Sequence, residues 1–100
     1  MCKQHVEATV YNARGHIIAK ATNSYTKTHP KQAKFAQQTN NPLAIYLHAE
    51  IAALVKCRQK PYRISVIRYL KDGSTGNAEP CPICKLAIKE AGIKFIEFSI

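Results

Sequence analysis

Residues 63–100 read RISVIRYLKDGSTGNAEPCPICKLAIKEAGIKFIEFSI, and this stretch decides the fold. Arg63 to Leu70 reads as a strand, followed by the turn Lys71-Asp72-Gly73 and a loop that runs to Pro80. Pro82 to Ala91 reads as a helix. Pro82 suits the first helical position, where a missing N–H costs nothing, and Gly92 is the C-terminal stop. Ile93 to Ile100 returns as a strand. A strand, a helix and a strand in succession form the crossover unit of a parallel sheet.

Upstream, Leu43 to Arg58 is rich in Ala, Leu and Ile and reads as a second helix, stopped by Pro61. Asn40-Asn41-Pro42 supplies an entry with Asn as cap and Pro in the first turn. The start of this helix stays open between that entry and a break near Leu47. Thr22 to Asn41 is polar and contains Pro30; its middle, Lys31 to Gln38, forms a short helix with Ala33, Phe35 and Ala36 inward. Val6 to Tyr11 alternates apolar and polar, the period of a half-buried strand. Arg14-Gly15 turns the chain, and His16 to Ala21 returns to complete a hairpin.

The order is therefore β-β-α-β-α-β. It predicts three parallel strands joined by two crossover helices, plus one antiparallel edge strand. Crossovers are right-handed, so both helices fall on one face. The other face takes Glu7, Thr9 and Tyr11 and is only moderately apolar. Parallel sheets are covered on both sides, so the Lys31–Gln38 segment or a second subunit is expected there. The last strand is an open edge that invites pairing, and a homo-oligomer is expected.

A length of 100 residues and a hydrophobic fraction of 46% suit a single domain over residues 1–100 and argue against a disordered chain. The most apolar stretch, Pro42 to Val55, is broken by His48 and Glu50, so no membrane span is expected. Met1 to His5 lacks a signal-peptide core, so a cytoplasmic protein is expected. A reducing compartment favours metal or redox chemistry over disulfides for Cys2, Cys57, Cys81 and Cys84. The net charge of +9 favours anionic partners, nucleotides or nucleic acid. The basic residues are scattered from Lys3 to Lys94, however, and a solvated basic surface accounts for them equally well.

The chemistry concentrates in four side chains. Cys81 and Cys84, at i and i+3 around the start of a helix, present both sulfurs on one face. The positive end of that helix stabilises thiolates, the species that bind zinc. His48 and Glu50 lie on the other crossover helix. If that helix starts at or just before His48, its first turn points at the spot Cys81 faces, beyond the carboxyl ends of parallel strands. Two thiolates and one imidazole leave a zinc ion its fourth position for water, the mark of a catalytic site. A neighbouring carboxylate, Glu50, takes the water proton and delivers it to substrate nitrogen. This set reads as a hydrolytic deaminase.

His48-Ala49-Glu50 followed by Pro80-Cys81-Pro82-Ile83-Cys84 resembles the H-x-E…P-C-x-x-C signature of the zinc-dependent cytidine/deoxycytidylate deaminase superfamily. The resemblance extends to element order over nearly the whole chain. It implies a three-layer-type, cytidine deaminase-like α/β core with a mixed four-stranded sheet in the order 2-1-3-4. It implies Zn2+ held by His48, Cys81 and Cys84, with Glu50 as proton shuttle. Asn23 resembles the family asparagine that contacts the sugar hydroxyl, and the Ala49 N–H would bond the base. Glu79-Pro80 would place a backbone carbonyl near the departing amino group. The implied activity is attack of zinc hydroxide at C4 of a free cytosine nucleoside or nucleotide. By that resemblance a compact member is expected, lacking the family's helix before the first strand and the elements that follow the last in many members, pieces that often shape specificity.

Four other readings compete. Glu79-Pro80-Cys81 also resembles the E-P-C-x-x-C of tRNA adenosine and guanine deaminases, so an enzyme editing nucleic acid or acting on a purine is the alternative. A deaminase fold kept only for binding nucleic acid is a second, which the intact Glu50 opposes. A thioredoxin-like redox pair leaves His48-Ala49-Glu50 unexplained. A structural zinc with Cys2, Cys57 or His29 as fourth ligand lacks the paired spacing of such sites. His29, Lys31 and Lys34 could lip a pocket, while Phe35 and Tyr46 read as packing groups.

Overall fold

The computed structural model describes residues 5–24, 27–39, 47–70 and 72–100. The expected helix entry at Asn40-Asn41-Pro42, and Cys2 and Tyr46, lie outside them. Among the described residues eight elements follow in order: β1 (His5–Tyr11), β2 (Ile17–Thr22), α1 (Pro30–Gln38), α2 (Ala49–Lys56), β3 (Arg63–Tyr69), β4 (Thr75–Gly76), α3 (Pro82–Glu90) and β5 (Phe95–Phe98).

The hairpin closes on Asn12, whose Oδ1 accepts from the Arg14 and His16 N–H groups at 3.0 Å, while Gly15 supplies a φ of +83°. At the other end of the fold, Gly92 (φ +79°) terminates α3. Its N–H donates to Lys89 O, the Ile93 N–H donates to Ile88 O, and Ile93 packs on the cluster that holds Ile88. This Schellman closure turns the chain back toward β5.

The strands read in the sequence appear in the expected order, β2-β1-β3, with β5 pairing β3 beyond. Their directions correct the expectation of an antiparallel edge strand. β1 pairs antiparallel with both β2 and β3, and β3 pairs parallel with β5. Of the four strands read in the sequence, β2, β3 and β5 are thus co-directional and the inner strand β1 is reversed. The cause is geometric: the helical crossover leaves from β2, not from β1, and must pass over β1 to reach β3.

The fifth strand, β4, was not expected. It pairs antiparallel with the end of β3, matching Arg68 with Gly76 and Tyr69 with Thr75, whereas β5 matches Arg63 to Val66. Two elements therefore share one edge of β3. Ser99 joins them. Its N–H donates to Val66 O (3.0 Å), its carbonyl accepts from the Ala78 N–H (2.8 Å), and its hydroxyl donates to Gly76 O (2.6 Å) while accepting from the Arg68 N–H (3.0 Å).

Both α2 and α3 pack on one face, as the crossover rule requires. Ala49, Ala52 and Ala53 of α2 and Ile88 of α3 meet Ala8, Val10, Ala19, Ala21, Ile64 and Val66. The alanines let the helix approach the strands closely, and each fully buried Val or Ile contributes about 1.5–3 kcal/mol. A second cluster, Phe35, Ala36, Ile51, Ile83, Cys84 and Ala87, lies between the helices. That cluster corrects the placement of α1. This helix packs on α3 and α2 through Phe35 and Ala36, not on the opposite sheet face. The opposite face instead carries an Arg63–Glu97 pair (2.9 Å), Arg63 over the Tyr11 ring (4.1 Å) and a Lys20–Glu7 pair (3.2 Å).

Candidate metal centre

Helices α2 and α3 begin in the same way. The residue before each, His48 and Cys81, has extended backbone (ψ 153° and 168°) and makes no side-chain capping bond. Ser, Thr, Asp or Asn there would stabilise each helix by about 1 kcal/mol. A histidine and a cysteine forgo that gain, and their side chains turn toward each other instead. His48 Nδ1 lies 3.4 Å from Cys81 Sγ and 3.2 Å from Cys84 Sγ. Among the described residues this trio is the group able to hold a metal ion, with its ligand atoms all within 4.8 Å of one another.

The spacing fits zinc. With Zn–S near 2.3 Å and Zn–N near 2.0–2.1 Å, tetrahedral N and S ligands stand about 3.6 Å apart. The two N···S distances fall a few tenths of an ångström short of that value, so a small outward shift would suit the ion. The donor set, two sulfurs and one imidazole, is also one that zinc accepts. His29 and Cys57 are not in the group. His29 Nδ1 caps α1 by accepting from the Lys31 N–H (3.1 Å), and the Cys57 thiol donates to Ala53 O at the far end of α2. Eight residues of helix, about 12 Å, separate that end from His48.

The electrostatics of the cluster are mutual. Hydrogen bonding from the Cys84 thiol, helped by His48, lowers the Cys81 pKa to about 4. Cys84 is raised by the same bond and by full burial, so Cys81 carries the negative charge and Cys84 keeps the proton. His48 is raised through its hydrogen bond to Cys81, against the opposing effect of burial. Glu50, only 6% exposed, sits in the first turn of α2 beside this group. Burial raises its carboxyl above the ordinary range, although its own N–H and the Cys84 thiol stabilise the anion. A buried carboxyl that holds a proton readily is suited to passing one on.

The other residues singled out in the sequence divide. Asn23 directly follows β2; its N–H donates to Val6 O (3.1 Å) and its Oδ1 accepts from the Val6 N–H (3.0 Å), which fixes its side chain at the end of the sheet. Ala49 is fully buried at the first position of α2, where a backbone N–H has no partner within the helix. Pro80 is buried directly before Cys81. Glu79 is exposed and pairs with Lys85 (3.4 Å), so its carboxylate serves the surface of α3. Phe35 is buried as a packing group.

One residue of this region escaped the sequence reading. Gln32 is fully buried on α1, and its Oε1 accepts from the His48 N–H (3.2 Å). Ala33 was expected inward, whereas the buried row is Gln32, Phe35 and Ala36. A polar residue three and four places before two inward apolar ones was the available signal.

Over residues 1–100 the chain matches the family model described as the cytidine and deoxycytidylate deaminase zinc-binding region. No curated protein matches it.

Proposed function

The chain belongs to the cytidine and deoxycytidylate deaminase zinc-binding family, and from that premise we propose that it is a zinc-dependent hydrolytic deaminase of a free cytosine nucleoside or nucleotide. The observation that carries this reading is the meeting of His48, Cys81 and Cys84 with a buried Glu50 beside them. In this reading the three residues hold zinc, in one deaminase-like domain spanning residues 1–100. When bound, zinc acts as a Lewis acid that brings the pKa of a water down to about 7.

The protein's own groups do the rest. Glu50 accepts one proton of the water and delivers it to N3, then takes the second, from the hydroxyl now bonded to C4, and delivers it to the departing amino group. Its raised affinity for a proton matches it to both transfers. The Ala49 N–H, at the positive end of α2, donates to the base. Asn23, braced by its bond to Val6, contacts the sugar hydroxyl. The Pro80 carbonyl lies in the segment that delivers Cys81 and would accept from the leaving amine. Burial of Glu50 and Cys84 keeps bulk water from competing for these protons.

The net charge of +9 supports a phosphorylated substrate in the cytoplasm. No helix among the described residues is long and apolar enough to cross a membrane. The edge strand β5 exposes Phe95, Ile96 and Phe98, which supports self-association.

The test is a deamination panel read by chromatography, with Glu50→Ala as the blank. It includes cytidine, deoxycytidine, their mono- and triphosphates, adenosine, guanine, and single-stranded DNA and RNA. Turnover of a small cytosine compound, absent from the blank, is expected. Turnover of polymer alone would establish an editing enzyme instead. Binding of polymer with no turnover would identify a silent binding fold.

A further inference from the structure

The buried amide of Gln32 has a task that nothing in the zinc signature assigns. Its neighbours on the inner row of α1 are Phe35 and Ala36. A polar group in such a row is costly unless it is hydrogen-bonded. Its Oε1 accepts from the N–H of His48 at 3.2 Å. That N–H precedes α2 and therefore has no acceptor within the helix. Gln32, sixteen residues upstream in the sequence, supplies one.

The rest of the His48 backbone is pinned by other bonds. The His48 carbonyl accepts from the Ala52 N–H (2.9 Å). The preceding residue, Leu47, donates to Lys27 O and accepts from the Ser24 N–H, both at 2.9 Å. The Leu47–His48 peptide plane is thus held at two points, its carbonyl by the Ser24 N–H and, among the described residues, its N–H by Gln32. The direction of the Cα–Cβ bond, and with it the reach of Nδ1 toward two sulfurs, depends on the peptide plane on that side.

We propose that Gln32 is a positioning residue for the metal centre, orienting the His48 backbone so that Nδ1 faces Cys81 and Cys84. This inference rests on the reading that these three residues hold zinc. Partners that orient metal ligands are worth about 10–100-fold in metal affinity, and Gln32 belongs to that class although it acts through backbone rather than through the ring.

The experiment measures zinc dissociation constants by chelator competition, and visible spectra of the cobalt-substituted protein, for the parent, Gln32→Leu and Gln32→Glu. Leu removes the acceptor at similar size, and Glu restores one. The Leu variant is expected to bind zinc about 10–100-fold more weakly, with altered cobalt bands. The Glu variant is expected to stay within about threefold of the parent and to keep the parent spectrum. Zinc binding by the Leu variant at parent affinity with parent bands would overturn the assignment and leave Gln32 a packing residue. Should the Leu variant not fold, the Glu variant decides, since a tenfold loss of affinity despite its acceptor also overturns the proposal. A parent that takes up neither metal refutes the reading of the cluster, a result distinct from any difference among variants.

Discussion

Ile51 is the side chain through which α2 is wedged between its neighbours, and its truncation puts a number on that wedge. It is 1% exposed and packs with Phe35 and Ala36 of α1 and with Ile83, Cys84 and Ala87 around α3. Ile51→Ala removes three buried carbons, about 2.4 kcal/mol in transfer alone at about 0.8 kcal/mol each. The void adds to this, because three helices meeting at one side chain cannot all close on it, and Ile→Ala in a core costs about 2–5 kcal/mol. We expect about 3–4 kcal/mol. At about 4–8 °C per kcal/mol for a domain of this size, the melting temperature falls by about 12–30 °C. Val55, on the same helix but 37% exposed, is the internal control. Val55→Ala should cost about 1 kcal/mol or less. Thermal melts followed by circular dichroism, with zinc and with chelator, give both values. Equal losses for the two variants would refute the placement of Ile51 between α1 and α3. The zinc-loaded protein should suffer the more, since Ile51 backs Cys84, whose sulfur the ion needs in place.

Other outcomes follow from the same geometry. Cys84→Ala should abolish zinc uptake, measured by metal analysis after purification without chelator, and should remove the stability that zinc adds to the parent. Glu50→Gln should end turnover while zinc stays bound. In metal-free protein the same substitution should raise stability at neutral pH. Burial raises the Glu50 carboxyl in the folded state, so its favourable contribution is complete in acid and is lost as pH rises through that raised value. The advantage of Gln over Glu should therefore grow with pH through that window and vanish in acid; the opposite slope in urea titrations would contradict the burial. Ser99→Ala deletes the hydroxyl that bonds Gly76 O and the Arg68 N–H. It should cost about 1–3 kcal/mol by denaturant melts, from two hydrogen bonds at about 0.5–1.5 kcal/mol each.

Much of this architecture was legible in the residues because it rests on local rules. Alternation in Val6 to Tyr11, the Gly15 turn and the Gly92 stop each act within a few positions, and each appears where expected. The convergence of His48 with Cys81 and Cys84 was legible because helix starts after co-directional strands share one end of a sheet. What was not legible is non-local. The direction of β1 depends on which strand the crossover leaves. The seat of α1 depends on Phe35 finding Ile51 and Ile83, although its amphipathic pattern would suit either sheet face. β4 is two residues long, too short to show a period, and exists because Arg68 and Tyr69 leave an edge that β5 does not reach. Gln32 is not legible because a glutamine in a polar segment reads as surface until its long-range bond to His48 is known.

The bonds of Ser99 bear on how the chain acquires its metal during synthesis. The segment that delivers Cys81 is tied down at Gly76 and Ala78 by a residue fifteen positions beyond Cys84. At about 5–20 residues per second, Ser99 is polymerised about 1–3 s after the second cysteine. Until it emerges, both thiols of the pair and His48 are already made but the loop between β4 and α3 lacks its anchor. The anchor of that loop is thereby made later than the hairpin and α2, which have had time to settle before it.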